Sequence, residues 1–266
     1  MMNPSRQPRL FVPSVLLGLL VVLVSSRALA QKQPNSNPAN RRIHYELKEP
    51  PPTGNPTQTS GAGSRGGIGN CPAVETPLTA LVPKAQTARS TFFGGKTLEA
   101  RPTIWVYVPY ALTPHLPGEL RLRETDTSGN QVNTAIAQIT GTSPGVIGIR
   151  LPSGHALAKN QLYTWSFVVL CDLNDASANQ FVKAAVQRIA PDPSLVQQLK
   201  HAQFWDRAAL YARSGLWYDM LTVLAAHRYS QPSDVALSQE WNSLLESVGL
   251  DDLVAKAIVQ SPGTAP

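Results

Sequence analysis

Between Thr103 and Cys171 the chain repeats one pattern, short apolar alternations closed by Gly, Pro, Asn or Asp. In Thr103-Ile104-Trp105-Val106-Tyr107-Val108-Pro109-Tyr110, Ile104, Val106 and Val108 fall on one side and Trp105 and Tyr107 on the other. Both sets are apolar, which predicts a central strand covered on both faces. Glu119–Glu124 alternates Leu120 and Leu122 with Arg121 and Arg123, so one face is expected in water. The turn sequence Asp126-Thr127-Ser128-Gly129-Asn130 leads into 131–140 and predicts a hairpin. Ile147, Ile149 and Leu151 share one face of a further strand. Tyr163, Trp165, Phe167, Val169 and Cys171 share one face of another, and an earlier strand is expected within 78–82. Evenly spaced short strands of this kind predict an antiparallel β-sandwich.

After Asp172 the period changes. Phe181, Val182, Ala185, Val186 and Ile189 recur at i, i+4 and i+8, which predicts a helix capped by Asp175. Asp192-Pro193 is an acidic N-cap with Pro at the first helical position. Residues 207–224 predict a helical hairpin broken at Gly215, with a second helix over Trp217–His227. Phe204, Ala208, Tyr211, Gly215, Met220, Leu224 and Pro232 sit near the offsets of one tetratricopeptide repeat. A single copy predicts a hairpin packed on the sandwich, because a superhelix needs about three repeats or more. Helices are also expected over Asp234–Val248, closed by Gly249, and over Asp251–Val259. The expected class is α+β: an antiparallel β-sandwich followed by a C-terminal helical region with one TPR-like helical hairpin.

Upstream, residues 1–30 have the parts of a secretory signal. Arg6 and Arg9 flank an apolar run from Leu10 to Val24, and Ala28-Leu29-Ala30 is a small-x-small cleavage site. The alternative is an uncleaved anchor, but the run is short of the roughly 20 residues that span a bilayer. No transmembrane segment is expected after cleavage, and the exported chain is placed in the periplasm or outside the cell. Of 23 basic side chains, Arg6, Arg9 and Arg27 lie in this segment, leaving 20 against 17 acids. A surplus of three argues against a nucleic-acid partner. Residues 31–60 are rich in Pro, Asn, Thr, Gln and Ser and are expected to form a disordered arm. Within it Ile43, Tyr45 and Leu47 alternate as a strand able to join a sheet edge would, although a solvated arm is the favoured reading.

Cys71 and Cys171 are the only cysteines. In an oxidising compartment they predict one disulfide, the alternative being two separate buried thiols. In the chain-entropy model a bridge closing such a loop stabilises by about 4–5 kcal/mol. It would join the start of a β domain over 61–174 to its last strand, with a helical domain over 175–260. Just before Cys71, Gly61, Gly63 and Gly66 match G-x-G-x-x-G. A dinucleotide site needs a strand before the first glycine and a helix after the last. Residues 50–60 are Pro- and Thr-rich, and Gly67, Gly69 and Pro72 prevent a helix, so the match is accidental. The stretch reads as a hinge.

The search for chemistry returns little. His44, His115, His155, His201 and His227 stand apart, with no metal-binding or nucleophile-elbow spacing. Ser153, His155 and Asp172 could be assembled into a triad only by chance. Asp172, Asn174 and Asp175 are spaced like part of a Ca²⁺ loop, but its Gly and distal Glu are missing, and a turn with a helix cap is the plainer role. Trp105, Tyr107 and Tyr110 could line a ligand surface, although with Trp165 they read first as core. No catalytic residue, cofactor or metal is expected.

Several segments in order resemble a known family. They are Gly61-Ala62-Gly63-Ser64-Arg65-Gly66, Pro77–Pro83, Pro102–Tyr110, Tyr163-Thr164-Trp165-Ser166-Phe167, Cys171-Asp172, and Arg207–Ala212 with Gly215-Leu216-Trp217-Tyr218-Asp219. Together, across roughly 60–250, they resemble the cyanobacterial domain-of-unknown-function family 928. Arg101 departs from the pattern, which often has His there, and no role attaches to that position. The resemblance implies a secreted or periplasmic cyanobacterial protein and brings no activity, cofactor or site residue. The expected function is a non-enzymatic interaction or structural module of the cell envelope, with a protein or envelope component as partner. The alternatives are an envelope hydrolase with dispersed catalytic residues and a carbohydrate- or wall-binding module.

Overall fold

The computed structural model describes residues 43–46, 71–86, 91–125 and 131–260. The expected signal, most of the arm and Gly61–Gly66 lie outside the described residues. Among those described, two β-sheets of mostly antiparallel strands are followed by four helices. One sheet has the order β1 (Thr79–Ala80), β4 (Thr103–Val108), β7 (Gly145–Arg150), β10 (Ile258–Gln260). The other runs β2 (Lys84–Gln86), β3 (Thr91–Thr97), β9 (Gln180–Arg188), β8 (Leu162–Val169), β5 (Gly118–Thr125), β6 (Gln131–Ile139).

The alternation predicted over 103–171 holds. All six residues of β4 are buried, as expected of a strand with two apolar faces. In β5, Leu120 and Leu122 are fully buried and Arg123 is exposed. The β5–β6 hairpin and the short early strand β1, antiparallel to β4, are both present.

Two helix expectations change. Residues 180–188 form a strand, not a helix, and Asp175 caps only a 3-10 turn at Ala176–Ala178. The i, i+4, i+8 offsets are even numbers and therefore fit a period of two as well. Val182, Ala184 and Val186 enter the main core, while Ala185 packs on the opposite face with Ala85 and Phe92. Second, Asp251–Val259 holds a 3-10 turn and strand β10 in place of a helix. Here Val146 N donates to Ala257 O at 2.8 Å, and β10 runs parallel to β7. With β3 and β9 also parallel, the sheets are not purely antiparallel. Strand β9, whose residues follow the expected boundary at 174/175, lies in a sheet with strands that precede it.

The helices are α1 (Pro193–His201), α2 (Phe204–Arg213), α3 (Trp217–Ser230) and α4 (Val235–Ser247). Asp192 caps α1, accepting from Ser194 N at 2.7 Å and Leu195 N at 3.3 Å, with Pro193 at its first position. Gly215, at φ +69°, ends α2 in the left-handed conformation that a residue with Cβ disfavours. The first two and a half turns of helix α3 are largely enclosed by protein. Its residues Trp217, Tyr218, Met220, Leu221, Leu224 and Ala225 are buried. Gly95 in β3 permits the approach, because a Cβ there would lie 2.6 Å from Trp217 Cβ.

Cys71 and Cys171 are bridged, with Cα atoms 4.9 Å apart. Cys171 follows β8, which is not the last strand, since β9 and β10 come after it. At residues 43–46 the solvated-arm reading is corrected. Ile43 is buried and Tyr45 half-buried while His44 and Glu46 are exposed, so the alternation is real although no strand forms. Ile43 N donates to the Glu240 carboxylate in α4, and Glu46 N donates to Ala212 O in α2 at 3.4 Å. Tyr45 meets Trp217 edge-on at 4.9 Å. Two apolar side chains and two backbone donors hold this short segment against the helices.

Candidate functional site

Four side-chain hydrogen bonds fix α3 against the sheets. Trp217 Nε1 donates to Leu81 O at 2.8 Å, and Trp105 Nε1 to Thr222 Oγ1 at 3.1 Å. Tyr218 Oη donates to Ala185 O at 2.8 Å and accepts from Trp165 Nε1 at 2.7 Å. Burial pushes the Tyr218 phenol far up, so it remains a neutral donor. Such partners offset the cost of burying indole and phenol groups.

Beside this polar spine lies a cleft of about 320 Å³, where the end of β3 and the start of β4 face α3. Asp219 stands in its wall, 5% exposed, in the first turn of α3. Its two carboxylate oxygens accept from Leu98 N at 3.3 and 3.2 Å, and Thr97 supplies a side-chain hydrogen bond. Burial raises the Asp219 carboxyl to about 7, because loss of water outweighs the hydrogen bonds that favour the charged form. Glu99 N donates to Thr97 Oγ1 at 3.0 Å, which fixes the chain where it leaves β3. Tyr211 of α2 closes one side. Its phenol is raised by burial first and then by the charge of Asp219, partly offset by Arg207. Glu99 and Tyr211 also line an adjoining cavity of about 370 Å³ that includes Lys200 and Arg207.

Arg101 and Arg150 line the same cleft. Register explains why they come together: Arg150 pairs across the ladder with Thr103, two residues beyond Arg101. Among the described residues no acid lies within ion-pair distance of either guanidinium. The ion pair found among those residues joins Arg121 to Glu119 within β5, at 2.7 Å and outside the cleft lining. The cleft thus presents two guanidiniums, an exposed carboxylate at Glu99 and a buried, hydrogen-bonded carboxylate at Asp219.

The residues singled out by sequence lie elsewhere. Trp105, Tyr107 and Tyr110 are 0%, 7% and 6% exposed, so they are core side chains and present no open aromatic platform. Asp172 accepts from Asn174 N at 2.8 Å, and Asp175 accepts from Ser177 N at 2.9 Å, which gives both the turn-forming role anticipated for them. Among the described residues no group of three or more His, Cys, Asp or Glu is placed to hold a metal ion. His227 stacks on Phe204 at 3.8 Å. Sequence reasoning missed Asp219, Glu99, Arg101 and Arg150. The available signal for Asp219 was an acid inside Leu216-Trp217-Tyr218-Asp219-Met220-Leu221, an otherwise apolar run. The other three carried no such signal, since a solvated charge and a cleft charge look alike in sequence.

A family model described as Domain of Unknown Function (DUF928) matches residues 60–258, about three quarters of the chain. No curated protein matches it.

Proposed function

The chain belongs to the DUF928 family, whose description assigns no function, and from that premise we propose an exported, non-catalytic module of the cell envelope that holds a ligand in the cleft beside α3. The observation that carries binding is the pair Arg101 and Arg150, which line the cleft without an acidic partner among the described residues. The fixed carboxylate of Asp219 supports binding over turnover, because both its oxygens already accept from Leu98 N. Export is supported by the signal-like residues 1–30 and by the Cys71–Cys171 bridge. No helix among the described residues is long and apolar enough to cross a membrane. In this reading the two sheets act as a sandwich, and α2–α3 as a single tetratricopeptide-like hairpin whose surface is partly taken by Ile43 and Tyr45.

Native mass spectrometry of the exported protein tests the binding claim. A small molecule retained by the wild type and lost in the Arg101→Ala/Arg150→Ala double variant is expected, and equal occupancy of both would refute it. Cell fractionation with intact-mass analysis tests export. The expected product lacks residues 1–30 and gains two protons on reduction; a cytoplasmic chain with an intact N-terminus and two free thiols would overturn it.

A second reading, an envelope hydrolase, has one observation in its favour. Asp219 titrates near neutrality inside a cleft, as a general acid or base does. Turnover of a chromogenic ester, phosphate or glycoside by the wild type, abolished in Asp219→Asn, would favour that reading.

A further inference from the structure

Two Glu-x-Arg sequences in this chain behave differently. Glu119 and Arg121 lie on the same side of β5, and their side chains meet at 2.7 Å. Glu99 and Arg101 have the same spacing, but they stand in the bend between β3 and β4 and do not pair. Both line the cleft, with Arg150 added to the basic set and Asp219 to the acidic set. Opposite charges around one cavity that do not close on each other leave room for a ligand carrying both signs. A cavity of about 320 Å³ lies at the small end of the range for ligand sites and suits one small molecule, not a polymer. Its walls also include Pro102 and Val223, which can cover an apolar group.

We propose that the cleft takes an α-amino acid with an apolar side chain. The carboxylate of the ligand is received by Arg101 and Arg150, as guanidiniums receive carboxylates through paired donors. Its ammonium lies toward the exposed carboxylate of Glu99, and its side chain against Pro102 and Val223. The inference rests on the binding reading above and narrows it to a zwitterion.

Isothermal titration of the exported protein with three probes tests it. L-Leucine carries both charges, 4-methylpentanoate lacks the ammonium, and 3-methylbutylamine lacks the carboxylate. Leucine is expected to bind at least about tenfold more tightly than either analogue, the usual cost of deleting one charge-assisted contact. Arg101→Ala/Arg150→Ala should abolish leucine binding, and Glu99→Gln should weaken it by about tenfold while leaving 4-methylpentanoate unaffected. These are exposed or half-exposed positions, so the variants are expected to fold. Binding of 4-methylpentanoate as tight as leucine would replace the proposal with a simple anion site. Binding of 3-methylbutylamine as tight as leucine would replace it with a cation site. Absence of leucine binding would refute the amino-acid assignment, while an arginine-dependent species in native mass spectra would leave the broader binding reading standing.

Discussion

Toward the sheets, α3 satisfies its polar groups with protein partners: Trp217 with Leu81 O, Tyr218 with Ala185 O and Trp165, Thr222 with Trp105. Toward the cleft, the same helix faces Arg101 and Arg150, which have no acidic partner among the described residues. Tyr218, Asp219 and Thr222 belong to both sides, each held by a hydrogen bond to the protein yet part of the cleft wall. The difference separates stability from recognition. Core-side groups had to be paired because a buried donor without an acceptor costs about 1–3 kcal/mol. Rim charges keep part of their hydration, so the fold does not require them to pair.

Replacing Trp217 by Ala should produce the largest effect. It removes a fully buried ring and leaves Leu81 O without its donor, a loss of about 3–5 kcal/mol expected in chemical denaturation. A loss below about 1 kcal/mol would break the claim that the core side carries the fold.

Asp219 gives the next effect, through pH. Its folded value of about 7 lies above the unfolded 3.8, so the folded state binds more protons between those values. This group's contribution is present in full below about 4 and falls as pH rises toward 7, by at most about 1.4 kcal/mol per unit. Denaturation measured across that window should show a decline that Asp219→Asn removes. An identical slope in both proteins would mean that Asp219 does not titrate there.

Tyr45→Ala should cost about 1–2 kcal/mol, since the ring is half-buried and touches Trp217 edge-on. It should also speed proteolysis near residues 43–46, which limited digestion would detect. The smallest stability change belongs to the rim: Arg101→Ala/Arg150→Ala should stay within about 0.5 kcal/mol of wild type. Loss of ligand with unchanged stability there, set against loss of stability at Trp217, is the sharpest form of the comparison.

Much of the sheet was legible because burial of one or two strand faces writes itself as alternation, as in β4 and β5. Strand β9 was misread because its apolar offsets suit both periods, and only its ladders with β3 and β8 decide between them. Strand β10 was misread because three residues carry too little pattern to separate strand from helix end. The docked segment 43–46 was half-read. Its alternation was visible, but its partners Glu240, Ala212 and Trp217 are distant in sequence.

By itself the sequence determined the β-then-α order, the cysteine pair and the caps, because these depend on local periodicity, composition and residue type. Only the tertiary structure decided that β9 and β10 join the sheets and that the helices share the main core with the strands. It alone brought Glu99, Arg101, Arg150 and Asp219 to one cleft. The physical reason is the same in each case: strand pairing and charge placement depend on contacts between residues far apart in the chain, and those contacts exist only once the core has closed.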